Sequence, residues 1–303
     1  MGSDPKEIMK PKYPYVKRKR GVVFIVCSLV IAITIVLLYG IFNSGSKKFP
    51  EGRESLAGFC HSVTKWEEVA ARSCARGNKR LFDAVLVSTG GVGTTSMIEN
   101  LHTDWRMNSI VDDDGLKHRP FYVTTKVLQG MVLNDSSVEC ATPFFLYAFG
   151  DIAGSIFSLY RRPGFAEAQN FKTHEYAIPE SCFPETVDEY VKAKVDYLNL
   201  ENHFNSYIHG GICSSSVPVY FLRIQRDPEP QVLNVLKRVM EEPKQIFAST
   251  IQTLHIKPSH YETDSETSEK YKELRSVYER LQKQFDDLGY LSVAFNGKIT
   301  RLV

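Results

Sequence analysis

The residues best suited to chemistry stand together in Ser88-Thr89-Gly90-Gly91-Val92-Gly93-Thr94-Thr95, where glycines and hydroxyls follow an apolar run, Leu81 to Val87, and open a helical pattern that runs to Leu101. A strand that turns straight into a helix aims several backbone N–H groups at one point. An anion binds there because those donors have no partner within the helix and the helix dipole is positive at that end. Glycines let the backbone approach a phosphate closely, and Thr94, Thr95 and Ser96 add hydroxyl donors. The nucleotide-triphosphatase form GxxxxGK[ST] is not met, because Thr94 follows Gly93 where the lysine belongs. Hydrolysis of ATP or GTP is therefore not expected. A second cluster, VDDDGLKHRP from Val111 to Pro120, offers groups able to accept a proton. Aspartates before a glycine also make surface turns. No CxxC pair or histidine-rich spacing suggests zinc, so no metal is expected.

The elements that must hold these residues alternate along the chain. Apolar or β-rich stretches at Leu81 to Val87, Phe121 to Leu128, Thr142 to Phe149 and Val217 to Ile224 read as strands. Where such runs are apolar almost throughout they are buried on both faces, which suits a parallel sheet covered by helices. Between them, AGSIFSLYRR and the stretch ETVDEYVKAKVDYLNLENHFNSYI read as helices. Tyr271, Leu274, Val277, Tyr278, Leu281, Phe285 and Leu288 then recur at the steps of an amphipathic helix that Gly289 would stop. The expectation is an α/β fold.

The N-terminus sets the setting. Gly21 to Phe42 runs without a charged residue, long enough to cross a hydrocarbon core of about 30 Å. Before it stand Lys6, Lys10, Lys12, Lys17, Arg18, Lys19 and Arg20 against Asp4 and Glu7, and just after it only Lys47 and Lys48. The positive-inside bias predicts a cytosolic tail over 1–20, a membrane anchor over 21–42, a short stem over 43–55 and a lumenal domain over 56–303. Five of the six cysteines fall in that domain, where disulfides persist. Cys60 and Cys74 are near enough in sequence to staple a local helix-turn, and Asn134-Asp135-Ser136 is the sole N-glycosylation triplet. The net charge of +2 neither favours nor disfavours nucleic acid, and a lumenal placement argues against it.

GVGTTSM, Gly91 to Met97, resembles the 5′-phosphosulfate turn of the P-loop sulfotransferases, with Gly93, Thr94 and Thr95 on its Gly-Thr-Thr positions. FFLYAFGDIAGSIFSLYRR, Phe144 to Arg162, is similar to the family's second landmark, with Ser158 where a serine binds the donor's 3′-phosphate. VPVYFLRIQRDPEPQVLNVLKRVM looks like the late strand and helix of Golgi members, so the likeness spans Leu81 to Met240. The resemblance implies a P-loop three-layer fold with a mostly parallel central sheet behind one N-terminal transmembrane helix. It implies sulfuryl transfer from 3′-phosphoadenosine 5′-phosphosulfate (PAPS) to a hydroxyl of a glycan or glycoprotein at the Golgi membrane. Gly91, Gly93, Thr94, Thr95 and Ser96 would meet the phosphosulfate, and Ser158 with Arg161 or Arg162 the 3′-phosphate. The resemblance also implies a base for the acceptor hydroxyl's proton soon after the first helix, where Asp113 or His118 would serve. Two departures remove cations: Gly91 stands on the family's lysine position and Gly150 on its arginine position. A replacement must come from elsewhere, and Arg161, Arg162 and Lys126 are the candidates. Alternatives from other classes are a catalytically inactive relative that binds glycan or protein, and another P-loop transferase or kinase using ATP.

Overall fold

A computed structural model of the chain describes residues 53–71, 74, 78–101, 105–161, 164, 166, 168, 183–224, 238 and 265–303. The expected anchor over 21–42, together with Cys27, Arg162 and Cys182, lies outside the described residues.

Chain order is α1 (Arg53–Ala70), β1 (Val85–Ser88), α2 (Thr94–Leu101), α3 (Phe121–Asn134), β2 (Phe145–Phe149), α4 (Ile152–Tyr160), α5 (Val187–Ala193), α6 (Leu200–Cys213), β3 (Val219–Arg223), α7 (Ser265–Val277), α8 (Glu279–Leu288), β4 (Leu291–Phe295) and β5 (Lys298–Arg301). The five strands form one sheet in the order β1-β2-β3-β4-β5. β1, β2 and β3 are parallel, with Val85 beside Phe145 and Phe145 beside Val219. β4 runs antiparallel to β3, and β5 antiparallel to β4.

This corrects the expected fold class. The sheet is mixed rather than mostly parallel, because the chain ends in a hairpin. Asn296 and Gly297 both have positive φ, 46° and 82°, the two-residue turn that joins antiparallel strands. Among the described residues no helix is long and apolar enough to cross a membrane.

Each parallel strand is buried on both faces. Val85, Val87, Phe145, Tyr147, Phe149, Val219 and Phe221 face a core built with α1 and α3–α8. Leu86, Leu146, Ala148 and Leu222 face a second core with Met97, Ile98 and Leu101 of α2, and with Trp105 and Met107.

Three expected elements change. Phe121 to Leu128, read as a strand from its β-branched and aromatic residues, is the first part of helix α3. Its buried positions are Phe121, Thr124, Thr125, Leu128 and Val132, a spacing that fits 3.6 residues per turn and not two. The middle helix is divided, with Lys194 and Asn199 left-handed at the break. The C-terminal helix divides at Tyr278, and Gly289, at φ 70°, ends it as expected.

Among the described residues the disulfides are Cys60–Cys213 and Cys74–Cys140, not the local Cys60–Cys74 staple. Cys60 sits in the middle of α1, so the helix carries it away from Cys74 and onto the end of α6. Disulfides persist where the surroundings are oxidising, which fits an extracellular or lumenal environment. The same end of α6 is gripped a second time. Glu67 of α1 accepts hydrogen bonds from the Ser214 and Ser216 hydroxyls, from the Ser215 hydroxyl at 3.1 Å, and from the Ser215 and Ser216 amides at 3.1 and 3.0 Å.

Candidate functional site

β1 is the outer strand of the sheet among the described residues, and its open edge is covered by the segment after α2. Asn108 mimics a neighbouring strand: its Oδ1 accepts from Leu86 N at 2.7 Å and its Nδ2 donates to Leu86 O at 2.9 Å. Asp83 N donates to Arg106 O at 2.8 Å and Ser88 N to Lys117 O at 2.9 Å. These bonds satisfy an edge that would otherwise cost free energy or recruit another strand. They also bring Lys117 and His118, far along the chain from β1, to the end of that strand.

The turn after β1 is built on glycine conformations. Gly90, Gly91 and Gly93 have φ of 92°, 70° and 85°, a region in which a side chain is strained. At Gly91 space closes as well: a Cβ would stand 2.3 Å from the Ser155 carbonyl oxygen of α4. The lysine that the resemblance puts at this position has no room, since α4 packs directly on the turn. Gly150 differs, because a Cβ there meets Val92 at 3.6 Å, an ordinary contact.

α2 starts at Thr94, and Met97 N donates to Gly93 O at 3.2 Å. Helix geometry therefore leaves the amides of Thr94, Thr95 and Ser96 without a carbonyl one turn back. Thr94 is buried and Thr95 is exposed, so the helix start opens to solvent at Thr95.

Lys117 is 3% exposed, and its ammonium donates to Thr95 Oγ1 at 3.0 Å and to Ile110 O at 2.9 Å. A cation thus stands at the N-terminus of α2, on a hydroxyl of the glycine turn. A buried ammonium is costly unless acceptors or an anion offset it, and a phosphate at the helix start is an anion of the right kind. Lys117 lies inside the VDDDGLKHRP stretch but is not among the residues expected at the site. The signal that could have found it is its place beside His118, since both are delivered by the one backbone bond from Ser88.

His118 is buried, with Nδ1 3.0 Å from Ser88 O and 3.4 Å from Ser88 Oγ. A carbonyl can only accept, so Nδ1 carries the proton and Nε2 is the basic nitrogen of the neutral ring. Ser88 Oγ also accepts from Gly90 N at 3.1 Å and lies 3.4 Å from Thr94 Oγ1. One hydroxyl therefore ties histidine, turn and helix start together.

Asp113 is not part of this cluster. It is exposed on the turn Asp112 to Gly115, closed by Gly115 N on Asp112 O at 3.2 Å. Its neighbours brace the loop: Asp112 Oδ1 accepts from Lys117 N at 2.7 Å, and Asp114 accepts from Ser109 N at 2.5 Å and Leu116 N at 3.1 Å. Burial raises the Asp114 carboxyl above its ordinary value, helped by the charges of Asp112 and Asp113 and opposed by the two amides.

On the next strand, α4 begins beside the turn. Its cap Asp151 accepts from Gly154 N at 2.5 Å, and Ser155 donates to Asp151 O at 2.8 Å. Ser158 lies one helical step beyond Ser155, partly buried in the last turn, and Arg161 is exposed at the helix end with its N–H on Ser158 O. Lys126 lies on α3, its ammonium 6.0 Å from the Tyr122 ring. The fold thus gathers Gly91, Gly93, Thr94, Thr95 and His118 at the end of β1, sets Ser158 and Arg161 on the adjoining helix, and leaves Asp113 on the surface.

Among the described residues no group of three or more His, Cys, Asp or Glu side chains could hold a metal ion. Comparison with protein-family models, with curated proteins and with solved structures found no match.

Proposed function

We propose that the protein transfers a sulfuryl group from PAPS to a hydroxyl of a glycan or glycoprotein in the Golgi lumen. The observation that carries this reading is the buried Lys117 ammonium on Thr95, a cation at the glycine turn that compensates for the glycine at position 91. Support comes also from the likeness of the turn and of Ser158 to the sulfotransferase landmarks, and from the two disulfides that fit a lumenal setting.

The residues present fit such a donor. Bound PAPS would supply the sulfuryl group and a phosphate leaving group. The amides of Gly93, Thr94, Thr95 and Ser96, with the Lys117 ammonium, would hold the phosphosulfate and stabilise the charge that develops on the departing phosphate oxygen. Ser158, with Arg161 or Arg162, would hold the 3′-phosphate. His118 would take the acceptor hydroxyl's proton on Nε2 as that oxygen bonds to sulfur and the bond from sulfur to phosphate breaks. Loose transfers of this kind depend on positioning and charge rather than on covalent help from the protein.

The test is calorimetric titration of the purified, disulfide-bonded protein with adenosine 3′,5′-bisphosphate and, separately, with ATP and magnesium. Micromolar binding of the bisphosphate alone is expected. Lys117→Met should slow turnover by about 10²–10³, the usual cost of losing one preorganised charge donor. His118→Gln should slow turnover by about 10²–10⁴ with bisphosphate affinity unchanged. A folded protein that binds neither ligand would overturn the reading and leave a non-catalytic role. Binding of ATP with magnesium alone would point to a kinase-type reaction.

A further inference from the structure

Asn134-Asp135-Ser136 is the chain's one Asn-X-Ser/Thr triplet, and nothing in the proposed transfer uses it. Asn134 is the last residue of α3, and residues 133–137 are all exposed. Asp135 leaves the helix in an extended conformation, φ −120° and ψ 95°. Its Oδ1 accepts from Ser137 N at 2.9 Å and Ser137 Oγ at 2.7 Å, so the turn is held by Asp135 and Ser137. Among the described residues no hydrogen bond engages the side chain of Asn134 or Ser136, and a substituent on Asn134 displaces no buried contact.

Topology decides what such a substituent would leave undisturbed. α3 follows β1 and precedes β2, and these strands are parallel, so α3 returns the chain to the sheet edge where strands begin. Glu139 N donates to Lys79 O at 2.7 Å and Leu81 N to Cys140 O at 2.9 Å, which fixes the segment after α3 beside residues that lead into β1. The glycine turn leaves the other end of β1, about 13 Å away at the usual strand rise.

We propose that Asn134 is an N-glycosylation site. Asn134 Nδ2 forms a bond to the anomeric carbon of a lipid-linked oligosaccharide, the bond from that carbon to the lipid diphosphate breaks, and the amide nitrogen loses a proton. The bulky, solvated product projects from the sheet edge opposite the candidate site. This inference does not depend on the sulfotransferase reading.

The full chain is expressed in cultured animal cells and digested with peptide N-glycosidase, with formation of the disulfides checked by thiol alkylation. The expected result is a mobility shift of one oligosaccharide, with conversion of Asn134 to aspartate seen by mass spectrometry. Asn134→Gln and Ser136→Ala should abolish the shift. Ser136→Thr, a change too small to disturb an exposed turn, should raise the occupied fraction. Disulfide-bonded protein that shows no shift in wild type and in Ser136→Thr, or a shift that persists in Asn134→Gln, would overturn the proposal.

Discussion

Gly91 and Gly150 look alike in sequence, as two glycines where a related pattern has cations, yet the structure separates them. Gly91→Ala puts a Cβ 2.3 Å from the Ser155 carbonyl at a φ of 70°, so the turn or α4 must move. The expected cost is about 2 kcal/mol or more, read as a lower urea midpoint. Gly150→Ala, with its nearest contact at 3.6 Å, should leave the stability within about 0.5 kcal/mol of wild type. The same comparison says which cation could be restored by substitution: Gly150→Arg has space at its first carbon, whereas Gly91→Lys does not. Residue types alone singled out the glycine turn with Thr94 and Thr95, and His118 entered only through the base that the resemblance implies. Lys117 was hidden because its distance from Thr95 is set by a backbone bond between Ser88 and Lys117, not by any local spacing.

At the scale of elements, the grip of α1 on the end of α6 makes a pH-dependent contribution. Burial alone would raise the Glu67 carboxyl, but hydrogen bonds from Ser214, Ser216 and Ser215 outweigh it and hold the group below its ordinary value of 4.5. A group depressed in the folded state adds stability that is complete above its unfolded pKa and fades as pH falls through the folded one. Glu67→Gln turns an acceptor of several bonds partly into a donor, at a cost of about 2 kcal/mol near neutral pH. The gap in Tm between wild type and Glu67→Gln should therefore close as the pH is lowered through and below that ordinary value. A gap that stays constant into acid would mean that packing of α1, not the charge, explains the loss. Strands β1, β2 and β3 were legible because apolar runs buried on both faces have one reading. The α3 segment was not, since Phe121, Val123, Thr124 and Thr125 favour strands locally while its buried positions follow a helix. The C-terminal hairpin carried a clear Asn296-Gly297 signal that the sequence reading left unused.

For the whole molecule, the parallel half of the sheet positions the candidate site and the antiparallel half completes the core. The Cys60–Cys213 bridge spans a separation of 153 residues, and loop-closure entropy assigns such a link about 5 kcal/mol. Cys60→Ser with Cys213→Ser should lower the urea midpoint accordingly. Helix α1 should then become the first of the described elements to lose hydrogen-exchange protection. If exchange in α1 were unchanged, Glu67 and the apolar face of the helix would suffice to hold it. The pairing of cysteines was not legible, because it follows from where α1 carries Cys60, a matter of tertiary packing rather than of spacing.

The two bridges are nested, with Cys74–Cys140 inside the interval closed by Cys60 and Cys213. Of these four cysteines a ribosome delivers Cys60 and Cys74 first, Cys140 next and Cys213 last. Until Cys213 emerges, Cys60 has only incorrect partners within reach, and an early link from it would also take a thiol from the inner pair. Helix α1 is thus joined to α6 only after the last of these four cysteines has been made. The yield of native protein then depends on enzymes that exchange disulfides faster than the incomplete chain can settle on a wrong one.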